Sequence, residues 1–182
     1  MQEHVSRLAD VGFWRPYVAE ILERHGLADS GREPVAGFNA TYPTLPAHLV
    51  AQIDDYLARL GPLDRVFVHG DLVANHAYVV NGRLAGIIDW GDSMATDRHY
   101  ELGKLYFDTF RCDKALLRVF LDASDWPAGE DFPRKTLGLA LYRQAVGLTQ
   151  HHSFDVFHTL PTVLPLQDIG TLDELATELF AV

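Results

Sequence analysis

Apolar residues recur near helical spacing from about Glu3 to His25, with Val5, Leu8, Phe13, Tyr17, Ile21 and Leu22 on one stripe. Pro16 marks a kink or restart in that helix, and Gly26 is placed to cap its end. Residues 29–46 are rich in Gly, Pro, Ser and Thr and read as a loop. A second helix is predicted over Ala47 to Leu60, with Leu49, Ile53, Tyr56, Leu57 and Leu60 on one face and Gly61-Pro62 as its stop.

The period then changes. Val66-Phe67-Val68 is a short apolar strand, and Ala77 to Val80 and Leu84 to Ile88 are two more. Asn81-Gly82 between the last two is a strong signal for a two-residue hairpin. Beyond Asp97 the pattern is helical again, over 98–110, 113–123, 132–150 and 171–180, with Leu137, Leu141 and Leu148 as core positions. Thr171 followed by Glu174 has the form of a capping box for the last helix. The expected fold class is α+β, mainly α: a helical body around a small β-hairpin.

Composition narrows the function. A chain of 182 residues, 48% hydrophobic, can bury a real core, which excludes disorder and suits one domain or one lobe of a larger enzyme. Fifteen basic residues against 25 acidic ones give a net charge of −10, with no basic stripe for nucleic acid. That balance suits a cationic small molecule as partner. The lone cysteine, Cys112, excludes an internal disulfide and fits a reducing cytoplasm. The start, MQEHVSRLADV, lacks the apolar stretch of a signal peptide, and no run approaches a membrane span.

The chemistry concentrates between His69 and Asp97. Asp71, Asp89, Asp92 and Asp97 lie there with His69 and His76. Asp71 follows the first strand and Asp89 ends the third, so a hairpin would bring the two carboxylates to one mouth. Such a pair suits a hard dication such as Mg²⁺, which takes oxygen ligands and keeps places for phosphate oxygens. The plainer reading is that strand ends and turns favour Asp as caps.

His69-Gly70-Asp71-Leu72, followed by Ile88-Asp89-Trp90-Gly91, resembles the catalytic core of the aminoglycoside phosphotransferase and choline kinase-like family, distant relatives of the protein kinases. Asp71 and Asp89 stand eighteen residues apart, close to the kinase spacing. The resemblance continues to Tyr100-Glu101-Leu102 and is strongest over residues 66–105. It implies a kinase-like C-terminal lobe with ATP as phosphate donor, Mg²⁺ as cofactor and a small-molecule hydroxyl as acceptor, including cationic antibiotics. By the same resemblance Asp71 orients the acceptor hydroxyl and takes its proton, and Asp89 holds the metal on the ATP phosphates. His69 braces the loop, Asp97 caps the next helix, and Glu101 is an exposed helix residue or an ion-pair partner. Where the family loop has an asparagine metal ligand, this chain has His76, preceded by Asn75. Macrolide phosphotransferases resemble it in this, so His76 points towards a macrolide-like acceptor. A one-residue slip would bring Asn75 to the metal instead. Acceptor contacts are expected from Asp92, and from Tyr142, Arg143, His151 and Asp155 on the 132–150 helix and the segment after it. His151-His152 invites a metal reading, but neighbours on a helix point apart.

The family's N-terminal β-lobe has a strand lysine and a phosphate-covering loop. Here the only lysines, Lys104, Lys114 and Lys135, all follow Asp71, and no glycine cluster precedes it. The expectation is a single C-lobe over 1–182 without its N-lobe: a helical lead-in (1–64), a catalytic, hairpin and metal-loop segment (65–97), and a helical acceptor-binding part (98–182). The missing lobe would come in trans, and exposed apolar surface would favour self-association. Two other classes stay open: a non-catalytic kinase-like binding module, and a metal-dependent hydrolase using His69, His76 and Asp89.

Overall fold

A computed structural model describes residues 42–147 and 155–182. The predicted helix over Glu3 to His25, most of the loop before Ala47, Leu148, His151 and His152 lie outside them. The predicted helix at Ala47 comes in two pieces, α1 (Ala47–Val50) and α2 (Ile53–Leu57), joined by a turn. Its apolar face is as expected: Leu49, Ile53, Tyr56, Leu57 and Leu60 are all buried. Gly61 ends it in the left-handed region, φ 72°.

Strand β1 (Val66–Val68) pairs antiparallel with β4 (Met94–Thr96), Val66 opposite Thr96 and Val68 opposite Met94. The pattern did not announce β4: unlike the β-branched and aromatic run of β1, Met94-Ala95-Thr96 carries little strand signal, and it is a strand because of its long-range partner. The hairpin of β2 (Ala77–Val80) and β3 (Arg83–Ile87) forms as predicted. Asn81 and Gly82 both take positive φ, 51° and 73°, as a tight turn matched to strand twist requires. An irregularity at Tyr78/Val79 shifts the register once.

The predicted 98–110 helix changes type midway. It runs as α3 (His99–Lys104) and then as a π-helix over Leu105–Thr109. Helix α4 (Lys114–Ala123) is capped by Asp113, whose carboxylate accepts from the Ala115 and Leu116 amides. Helix α5 spans Phe132–Gly147 and packs against α3 and against α6 (Leu172–Phe180). Leu137, Leu139 and Leu141 of α5 are fully buried, as are Leu172 and Leu175 of α6. Tyr42 donates to the Leu141 carbonyl at 2.9 Å, and Tyr106 to that of Leu179 at 2.9 Å. Burial pushes both phenols well above the ordinary tyrosine range.

The capping box forms only in part. Thr171 Oγ1 accepts from the Glu174 amide at 3.0 Å, but the Glu174 carboxylate turns back to the Gly170 amide at 2.8 Å. The fold is mixed and mainly helical, with two small antiparallel sheets among the described residues. No described helix is long and apolar enough to cross a membrane.

Candidate active site

The loop after β1 carries the first of the paired carboxylates, and its shape depends on Gly70. That residue sits at φ 84°, and a Cβ there would lie 2.1 Å from the Asp92 carbonyl oxygen. Only glycine fits, so the two loops meet backbone to backbone. Glu101, on α3, then clamps the loop. Its Oε2 accepts from the Gly70 amide and its Oε1 from the Leu72 amide, each at 3.0 Å. The expectation of an exposed Glu101 is thereby corrected: it is buried, because α3 lies directly beneath the loop whose amides need acceptors.

His69 fastens the same loop to the end of the hairpin. Its Nε2 donates to the Ile88 carbonyl at 2.7 Å, and a carbonyl only accepts, so the proton is on Nε2. Nδ1 is then free to accept from the Asp71 amide, at 3.2 Å. The ring packs at 4.6 Å from Trp90.

Asp71 is held by two cations on one oxygen. Arg143 Nη2 lies 3.1 Å from Oδ1 and Lys104 Nζ 3.9 Å from the same atom. His76 Nδ1 donates to the Asp71 carbonyl oxygen at 2.8 Å, which leaves the His76 Nε2 lone pair directed away. That Nε2 sits 3.4 Å from Asp89 Oδ2. Asp89 itself has φ 64°, an unfavourable conformation for a residue with a Cβ, and its side chain is solvent-facing. Two acceptors facing one another at that distance suit a bound dication. Among the described residues no three His, Cys, Asp or Glu side chains converge on one point, so phosphate or water oxygens would complete its shell. Asn75 is exposed on the turn before His76, and His76, not Asn75, faces Asp89.

Most of the other expected residues are structural, and Asp97 caps the next helix as expected. Asp97 is wholly buried: Oδ1 accepts from the His99 amide at 3.0 Å and from His99 Nδ1 at 2.5 Å, and Oδ2 from the Asp64 amide at 2.9 Å. Burial alone would raise its pKa, but these hydrogen bonds outweigh it and hold the carboxyl below its ordinary value. Tyr142 and Arg143, expected at the acceptor, are buried instead, because α5 runs through the core. Arg143 donates to the Gly70 carbonyl and stacks over Tyr100 at 5.0 Å. Asp155 accepts from the Thr44 hydroxyl and the Phe157 amide and so ties two segments together. Asp92 is exposed on the turn after Asp89.

A cavity of about 390 Å³ opens beside Asp71, lined by His76, Asn75, Lys104, Asp108, Thr109 and Arg111 among others. Lys104 Nζ lies 2.6 Å from Asp108 Oδ2. The last four residues were not singled out from sequence. The signal was present: Glu101, Lys104 and Asp108 are spaced three and four apart, so a helix stacks them on the face that Glu101 turns to the loop.

Comparison with known proteins finds a family and a relative. A family model described as "Phosphotransferase enzyme family" matches residues 6–134. Hygromycin-B 4-O-kinase of Escherichia coli is 32% identical over 97 residues, which covers 52% of this chain and 26% of that protein. The match thus spans about a quarter of the relative's length.

Proposed function

This chain belongs to the phosphotransferase enzyme family, and from that premise we propose that it carries the catalytic base and metal-binding carboxylate of an ATP-dependent small-molecule O-phosphotransferase. The observation that carries the reading is the line of Asp71, His76 and Asp89 at the hairpin mouth, with Asp71 and Asp89 on either side of the imidazole. The acceptor is a hydroxyl compound of antibiotic type, in keeping with the relative's name. The described residues act as the kinase-like C-terminal lobe.

Each residue has a part. The acceptor hydroxyl enters the cavity beside Asp71. With both cations on Oδ1, Oδ2 is the oxygen that takes the hydroxyl proton as the phosphoryl group transfers. Arg143 and Glu101 fix the position of Asp71, so that the attacking oxygen is held in line rather than sampled. Asp89, with His76 Nε2 beside it, would hold Mg²⁺. When bound, that ion offsets the negative charge on the ATP phosphates. His76 orients its lone pair because its other nitrogen is committed to the Asp71 carbonyl.

Calorimetric titration of Mg-ATP tests the donor half. Without the lysine and covering loop of an N-lobe, this chain alone should bind Mg-ATP weakly, and that binding should be abolished by Asp89→Ala; binding indifferent to that substitution would remove Asp89 from the metal site. Acceptor-dependent ADP release tests the other half. Asp71→Ala should lower it by about 10²–10⁴-fold, the usual size of a general-base contribution.

A further inference from the structure

The cavity beside Asp71 already contains an ammonium group. Lys104 comes from the last turn of α3 and reaches between two carboxylates, 2.6 Å from Asp108 Oδ2 and 3.9 Å from Asp71 Oδ1. Asp108 is on the π-helix that follows, four positions on from Lys104, and lines the same cavity wall. Arg111, which also lines the cavity, stands at φ 53°, and Cys112 next to it at φ 61°. Two consecutive residues with Cβ atoms in the left-handed region hold this rim in a costly shape, and such cost concentrates at working sites. Among the described residues lining the cavity, two carboxylates, Asp71 and Asp108, are matched by two cations, Lys104 and Arg111.

A site built for a polycation would leave its carboxylates open to the ligand. Here the carboxylate away from the reacting centre is taken by a side chain of the protein. We infer that Lys104 is the specificity-determining residue of the acceptor cavity: it occupies the position at Asp108 that a substrate ammonium would take. The chain therefore accepts a hydroxyl compound that presents a neutral or anionic group there. The inference rests on the phosphotransferase reading for the word acceptor, but the exclusion of cations is a property of the cavity and can be read by binding alone. It also reverses the expectation drawn from the acidic net charge of −10, since that charge is global and the cavity's balance is local.

The test uses the full chain and two probes with one skeleton, kanamycin A and its fully N-acetylated form, titrated calorimetrically at low salt. The wild type should bind the charged probe no better than the acetylated one. Lys104→Met should tighten kanamycin A by about tenfold or more, the size expected when a like charge beside an incoming cation is removed. Lys104→Arg should keep the wild-type Kd, and Asp108→Asn added to Lys104→Met should cancel the gain. Lys104→Gln takes the place of Lys104→Met if the latter does not fold. A smaller gain, or one that survives the Asp108→Asn change, overturns the inference. Failure of the phosphotransferase reading would show differently, as no ADP release with any acceptor, and would leave the Kd comparison intact.

Discussion

Glu101 has more influence on the site than its place on a helix suggests. Its two oxygens each take one amide from the loop that bears Asp71, and burial leaves little solvent to compete for them. An amide side chain offers a single acceptor oxygen in the same volume. Glu101→Gln should therefore leave one buried amide without a partner and destabilise the fold by about 1–3 kcal/mol. Denaturant unfolding at neutral pH measures this, and an unchanged midpoint would show that the clamp is dispensable. His76 illustrates a related point. Its identity could be read as a replacement for the family's asparagine, but its tautomer depends on the Asp71 carbonyl that it meets in space.

At the scale of elements, local chemistry sets the boundaries and tertiary packing adjusts them. The Asn81-Gly82 turn forms because both residues tolerate positive φ, whatever the rest of the molecule does. The start of α6 is similar. Thr171 accepts from the Glu174 amide, while Leu172 donates its amide to the Gln52 side chain at 3.1 Å. Thr171→Ala should cost about 1 kcal/mol, the usual worth of an N-cap. Thermal melting reads this as a fall in Tm, and Thr171→Ser should restore it. The π-helix after α3 follows the opposite logic. Nothing in the apolar spacing of residues 105–109 distinguishes it from an α-helix. Leu105, Tyr106 and Phe107 are all buried against distant partners, with Tyr106 and Phe107 beside Phe180 at 5.0 and 6.0 Å. The demand of that cluster decides the turn.

For the molecule as a whole, Asp97 couples the lead-in to the helical body. It joins the Asp64 amide to the start of α3 from a fully buried position. Its folded-state pKa lies below that of an unfolded aspartate, so the unfolded chain binds more protons as pH falls. The resulting stability is fully present above about pH 4, the ordinary aspartate value, and is lost as pH drops through the folded pKa. Asp173 acts in the same direction: desolvation would raise its pKa, but the hydrogen bonds and charges of Arg59 and Arg134 together outweigh that and hold the carboxyl down. Unfolding midpoints measured from pH 6 to pH 3 should therefore fall, and fall less steeply in Asp97→Asn, which should be the weaker protein at neutral pH. Equal slopes would exclude Asp97 as a source of acid sensitivity. Exposed apolar residues around the strands are a second whole-molecule feature. Phe67 of β1 and Val79, Val80 and Leu84 of the hairpin are exposed, and Phe67 stacks on Trp90 at 5.7 Å. A period-2 pattern places such residues on a strand face but does not say whether that face is covered.

The division between sequence and structure follows range. Local stereochemistry determined the hairpin turn, the caps and the buried face of the Ala47 to Leu60 segment, because turns and periods act over a few residues. Only the tertiary structure decided that β1 pairs with β4, that Glu101 is buried under the loop, that Arg143 serves Asp71, and that Lys104 fills the cavity at Asp108. Each of these joins residues whose partners lie across the fold or whose exposure depends on it. Burial and charge pairing are set by what packs alongside, and a linear pattern carries no record of that.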